Sequence, residues 1–295
     1  EAYLRAQMKE NKLNLSGKSL NEIPPAVFRI EELEILDVSD NPLGSIPADI
    51  ASLANLKEMR VAGCPITEIS GTISGCKYLS IIDFSRNPSI ATVTLPATMQ
   101  QLRYLEYVVL CKCNLRSLPG NLTVLATVET LDLSTNALTT LPDNISGMRQ
   151  LKILFLNNNA FERIPESIKS LGCLEILEMK KNKLKNRHRD LQLNVPRKLK
   201  ILDMEDNSSL CFLPAGIEKL EHIEKLNLSY CGIETLPDSI GESSSLKEIH
   251  LAGNKLRKLP DGLGRLLNLE TLDLEGNRRL YGLPPALHRL RKLKD

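Results

Sequence analysis

The residues able to do chemistry in this 295-residue chain are few and scattered. Its four histidines, His188, His222, His250 and His288, lie in separate stretches at no metal-ligand spacing. His250 and Asp273 are of the right types for an acid–base pair, but no serine or cysteine is obviously placed as their nucleophile. Cys111 and Cys113 are one residue apart, too close for a zinc knuckle of the two-residue type, and there is no second pair. The chain holds no Gly-x-x-x-x-Gly-Lys phosphate loop and no nucleophile elbow. These patterns supply no catalytic residue, no cofactor and no metal site.

One charged run stands out: Lys180, Lys181, Lys183, Lys185, Arg187 and Arg189, followed by Arg197, Lys198 and Lys200 and offset locally only by Asp190. Its types suit phosphates, acidic lipids or an acidic protein, with a solvated loop as the simpler account. No aromatic residues interleave to stack bases, so nucleic acid is not expected. The whole chain, with 38 basic and 36 acidic residues, has no strong pull toward either polyanion.

The elements that must position these residues are set by a repeat. Counting the first consensus leucine as position 1, copies begin at Glu10, Leu33, Leu56, Leu79, Leu105, Val128, Leu151, Leu174, Leu199, Ile223, Leu246 and Leu269. Positions 4 and 6 are apolar around one outward residue, the period of a short strand. Position 9 holds Asn41, Asn87, Asn136, Asn159, Asn182, Asn207, Asn254 and Asn277, with Cys64, Cys113 and Cys231 in three copies. A small polar group there can bond the backbone where the chain leaves the strand. The three cysteines are therefore expected as buried, reduced side chains rather than halves of a disulfide framework. Ten copies then carry proline at or just beyond position 15, as at Pro47, Pro142 and Pro260, which ends the strand.

No single copy can bury its own core, so neighbours must stack. The expected fold class is an α/β repeat solenoid, a horseshoe with a parallel concave sheet and an irregular or short-helical convex side. Residues 1 to 9 are expected to cap the first strand through Tyr3, Leu4 and Met8, and residues 10 to 295 to form about twelve repeats. A thirteenth copy starts at Leu287, Leu290 and Leu293 without completing, which suggests a chain cut from a longer one. Three copies depart from the pattern. The fourth is longer through Ser89 to Leu95, the third has Ile69 and Ser70 in place of leucine-proline, and the eighth replaces that signature with residues 184 to 190. The longer units are expected as loops or bulges.

The pattern Leu-x-x-Leu-x-Leu-x-x-Asn-x-Leu-x-x-Leu-Pro-x-x-Ile-x-x-Leu is met directly by Val128, Leu131, Leu133, Asn136, Leu138, Leu141, Pro142 and Ile145. It resembles the 23-residue intracellular class of leucine-rich repeat over residues 10 to 293. That class is similar to Ras-suppressor scaffolds, Scribble-type polarity proteins, plant Ras-group-related repeat proteins and the repeat domains of Roco GTPases. The resemblance implies protein–protein recognition in signalling, frequently with a small GTPase or a phosphatase, and no enzymatic activity. It leaves two other roles open: the sensing or targeting part of a Roco GTPase, kinase or ubiquitin ligase, and a secreted or effector recognition protein.

No apolar run approaches the roughly 18 to 20 residues of a membrane span and no signal peptide opens the chain, so a cytoplasmic setting is expected. Five glycosylation triplets, beginning at Asn14, Asn121, Asn144, Asn207 and Asn227, arise by accident in such repeats. On the concave face, position 5 reads Asn14, Asp37, Arg60, Asp83, Val109, Asp132, Phe155, Glu178, Asp203, Asn227, His250 and Asp273. Its acidic bias would steer a basic partner, or serve only solubility. Phe155 is the sharper signal, because an outward strand position seldom holds phenylalanine. Tyr107, Val109, Asp132, Phe155, Glu178 and Asp203 are the expected partner-binding residues, an apolar patch with a charged rim. The run from Lys180 to Arg189 is a secondary candidate.

Overall fold

A computed structural model describes residues 4, 6, 8–186 and 193–294. Its contacts divide the chain into two units, Glu1–Leu138 with Pro142–Leu151, and Thr139–Leu141 with Lys152–Asp295. Each unit carries six three-residue strands, parallel and in chain order. In the first they are Lys12–Asn14, Ile35–Asp37, Glu58–Arg60, Ile81–Asp83, Tyr107–Val109 and Thr130–Asp132. In the second they are Ile153–Phe155, Ile176–Glu178, Ile201–Asp203, Lys225–Asn227, Glu248–His250 and Thr271–Asp273. The middle residue of every strand is buried, as at Leu131 and Leu154, and its two neighbours face the other way.

The strands stop for a local reason. In seven of the twelve, the position-5 side chain accepts the backbone N–H two residues on: Asn14 from Ser16, Asp37 from Ser39, Asp83 from Ser85, Asp132 from Ser134, Asp203 from Glu205, Asn227 from Ser229 and Asp273 from Glu275. This bond takes a donor away from the next strand and turns the chain. Position 8 completes the turn in the left-handed region in all twelve copies, from φ 52° at Lys181 to 72° at Gly276.

Position 9 then closes the turn from inside. The Asn254 amide donates to the carbonyls of Leu228 and Leu251, both at 2.8 Å, while its oxygen accepts the N–H groups of Cys231 at 3.1 Å and Ile233 at 2.8 Å. The expected thiols are there as well. Cys64 donates to Val38, Cys113 to Phe84 and Cys231 to Met204, and each thiol is buried.

After proline the chain makes one 3-10 turn, for example Ala48–Ser52, Asp143–Gly147 and Asp238–Glu242, whose third residue is buried. Five residues are too few to offset helix nucleation, and the tighter 3-10 form covers the span instead. The third copy keeps its turn without proline: Ser70 caps Gly71–Gly75 by accepting from Thr72, and Glu68–Ile69 pairs with Ser45–Ile46. The fourth absorbs its extra residues in the added 3-10 turn Pro88–Thr92. At the N-terminus Leu4 is buried, and Glu10 and Asn11, both at positive φ, make the tight turn that pairs Lys9 with Lys12. Tyr3 lies outside the described residues.

Candidate functional site

On the open sheet face the position-5 row separates into residues with a structural task and residues without one. Five of the twelve give up the strand-ending bond: Arg60, Val109, Phe155, Glu178 and His250. Arg60 pairs with Glu58 at 2.6 Å, Glu178 accepts from the Asn157 amide at 2.8 Å, and His250 stands between Glu248 at 3.3 Å and Asp273 at 3.9 Å. Val109 and Phe155 make no polar bond because they have none to make. Both are half-buried.

The expected patch falls in two parts, each described within its own unit. In the first, Tyr107 and Val109 share a strand, and Val109 is in register with Asp132, which is occupied by its bond to Ser134. Burial and the nearby Asp132 and Asp83 charges push the Tyr107 phenol up. In the second, Phe155 is in register with Glu178, beside the partly exposed row Ile153, Ile176 and Ile201.

Asp203 corrects the expectation of an exposed rim charge. It is 4% exposed, ion-paired to Lys180 at 3.1 Å and bonded to the Asn227 amide at 3.0 Å. The Asp203 carboxylate is covered because a base and an amide from the two neighbouring repeats converge on it. The acidic row is thus largely consumed in ending strands and holding bases, and Glu178 is the acid left at the edge of the Phe155 patch.

Two members of the basic run, Lys180 and Lys185, are paired with acids of other repeats. Lys180 faces Asp203 and Glu205; burial opposes its charge, but the bond to Asp203 and the surrounding carboxylates raise its pKa on balance. Lys185 pairs with Glu162 at 2.6 Å, a bond that lowers the Glu162 pKa. Lys181 and Lys183 are exposed, and Arg187 and Arg189 lie outside the described residues. The partners sit about one repeat away in the chain, so no local count of charge could have found them.

Two features escaped the sequence reading. Tyr78 and Tyr104 hold their rings 5.8 Å apart and half-exposed, on the turns that lead into adjacent strands. Tyr230 is 55% exposed at the left-handed position 8. The left-handed backbone at position 8 marks the latter, since an aromatic at positive φ is unusual.

Among the described residues no group of three or more His, Cys, Asp or Glu is arranged to hold a metal ion, and no helix is long and apolar enough to cross a membrane. Stacked parallel strands, a ladder of asparagines and 3-10 returns define a repeat solenoid of the kind that typically binds other proteins without catalysis. The chain is built of leucine-rich repeats: a leucine-rich repeat region is matched over residues 61–205, and further leucine-rich repeats over 221–280 and 32–53.

A 76-residue stretch is 40% identical to uridine 5'-monophosphate transferase of Xanthomonas campestris pv. campestris (strain 8004), covering 25% of this chain and 14% of that protein. Among solved structures, a leucine-rich-repeat protein of Leptospira interrogans is similar with a TM-score of 0.54 at 20% identity, over 99% of this chain and 97% of that one. The Toll–Spatzle complex of Drosophila is similar with a TM-score of 0.75 at 20% identity, over 93% and 37%. At such identities the likeness is one of fold.

Proposed function

We propose that this array is an intracellular scaffold of the 23-residue class that captures a partner protein on its open sheet face at Phe155. The observation that carries the reading is the position-5 row. Seven residues there have a structural task and three more are tied by polar contacts; of the two left, Val109 in the first unit and Phe155 in the second, Phe155 is the aromatic one and stands half-exposed beside an isoleucine row. Apolar anchors edged by organised polar groups have the anatomy of an interaction hot spot. The Asn157–Glu178 and Lys180–Asp203 bonds hold that edge in place before a partner arrives.

The family resemblance points to a small GTPase or a phosphatase as the partner and to signal transduction as the setting. Three buried thiols donating hydrogen bonds to backbone carbonyls suit a reducing, cytoplasmic compartment. Asn207, one of the five glycosylation triplets, is fully buried and bonded to Met179 and Met204, so it cannot carry a glycan in the folded chain.

Affinity capture from the native cell with mass spectrometry tests the reading. Phe155→Ala is expected to lower recovery of the partner roughly tenfold or more, with a thermal melt close to that of the parent. Undiminished capture would remove Phe155 from the interface. A second reading, a targeting repeat within a larger enzyme, is favoured by the 76-residue likeness to part of an enzyme; the full open reading frame decides it by showing a catalytic domain or none.

A further inference from the structure

We infer that Tyr230 is a second recognition point, independent of Phe155, which receives a lysine or arginine side chain from a partner polypeptide. Position 8 is left-handed in every copy, and tyrosine is a costly choice there, with φ 56°. The next two copies answer it with glycine. The Tyr230 ring occupies the space that a side chain at 253 would fill: a Cβ on Gly253 would overlap ring carbons Cδ1 and Cε1. Beyond it Gly276 leaves the backbone bare as well. The ring is therefore bedded on glycine backbone while staying 55% exposed, and its hydroxyl has no hydrogen-bond partner among the described residues.

Charge around the ring selects the ligand. The backbone ladder runs from Asp206 to Ser229, from Tyr230 to Ala252 and from Gly253 to Glu275, at 2.9, 2.8 and 2.7 Å. Residues at positions 7 and 8 along these four repeats are Glu205, Asp206, Ser229, Tyr230, Ala252, Gly253, Glu275 and Gly276: three carboxylates and no base. Glu205 is engaged with Lys180 and Asn227, whereas Asp206 and Glu275 are exposed and have no ion-pair partner among the described residues. An exposed aromatic ring in a row whose flanking copies carry the unpaired carboxylates Asp206 and Glu275 attracts a cation through the ring quadrupole and through Coulomb attraction together. An acidic or apolar segment gains nothing from this arrangement.

The test uses fluorescein-labelled octa-arginine, with octa-glutamate as the opposite charge, read by anisotropy on the whole chain. Octa-arginine is expected to bind and to shift the Tyr230 ring resonances in NMR spectra, while octa-glutamate does neither. Tyr230→Ala is expected to weaken binding roughly tenfold and Tyr230→Phe to leave it within about twofold. Asp206→Asn combined with Glu275→Gln should weaken binding and flatten its salt dependence. Unmoved Tyr230 resonances, equal binding by the alanine variant, or equal binding of octa-glutamate would each overturn the assignment. Resonance shifts in the wild-type chain keep the test valid even if the alanine variant folds poorly.

Discussion

Asn254→Cys is expected to destabilise the array by about 2–5 kcal/mol, while Asn87→Cys costs less than about 1 kcal/mol. The same substitution differs because the two side chains have different work. The Asn254 oxygen accepts two buried N–H groups from the preceding repeat, and a thiol cannot replace it. Asn87 makes no such bonds, and its buried Oδ1 has no partner. Five repeats turn back onto their own position-9 carbonyl, through Leu43 to Asn41, Ile66 to Cys64, Ile90 to Asn87, Leu210 to Asn207 and, in the last full copy, Leu280 to Asn277. The position-9 residues that follow the first four are Cys64, Asn87, Cys113 and Cys231. Cysteine thus occurs where the incoming donors are already directed elsewhere, and Asn87 is the asparagine that shares this situation. Equal shifts of the urea midpoint for the two variants would refute the account.

Gly262→Ala is expected to cost about 3 kcal/mol or more, read as a lowered melting midpoint. A Cβ at 262 would overlap the carbonyl oxygen of Asp238 on the neighbouring 3-10 turn, a backbone atom that cannot swing aside. Separating the turns would also break the Gly262 N–H bond to Asp238 at 2.6 Å and the Arg265 bonds to the same residue at 2.6 and 3.1 Å. The Gly262 N–H, then Arg265, hold the Asp238 pKa below the ordinary aspartate range. A depressed carboxylate contributes stability above its unfolded pKa and loses it as pH falls through the folded value. The alanine variant should therefore lose part of the acid sensitivity of the parent. Gly172→Ala is the control, since a Cβ there meets nothing within 4 Å; it is expected to be neutral or slightly stabilising.

Much of the fold was legible because the repeat writes each structural role at a fixed position. Leu131 and Leu133 announced a strand, Asn136 its exit and Pro142 its return. The Asp-x-Ser spacing of Asp37 with Ser39 or Asp83 with Ser85 was equally visible, yet its acids suggested a steering field when they are strand terminators. The pairing of Asp203, Lys180 and Lys185 was hidden for another reason. Their partners lie 23 to 25 residues away in the chain but in the adjacent repeat, so charge balance in a solenoid is settled between repeats. Phe155 remained informative because it departs from a position whose task the structure explains.

The buried cysteines have a practical consequence. Burial pushes the thiols of Cys76 and Cys113 in the first unit and Cys231 in the second up to about 12, so none is a nucleophile while its repeat is closed. An alkylating reagent added to the native protein should reach each one only as its repeat opens. Mass spectrometry of the labelled sites over time would then give separate opening rates for the two units: the array carries its own clocks for local unfolding, two of them, Cys113 and Cys231, installed where other repeats use asparagine.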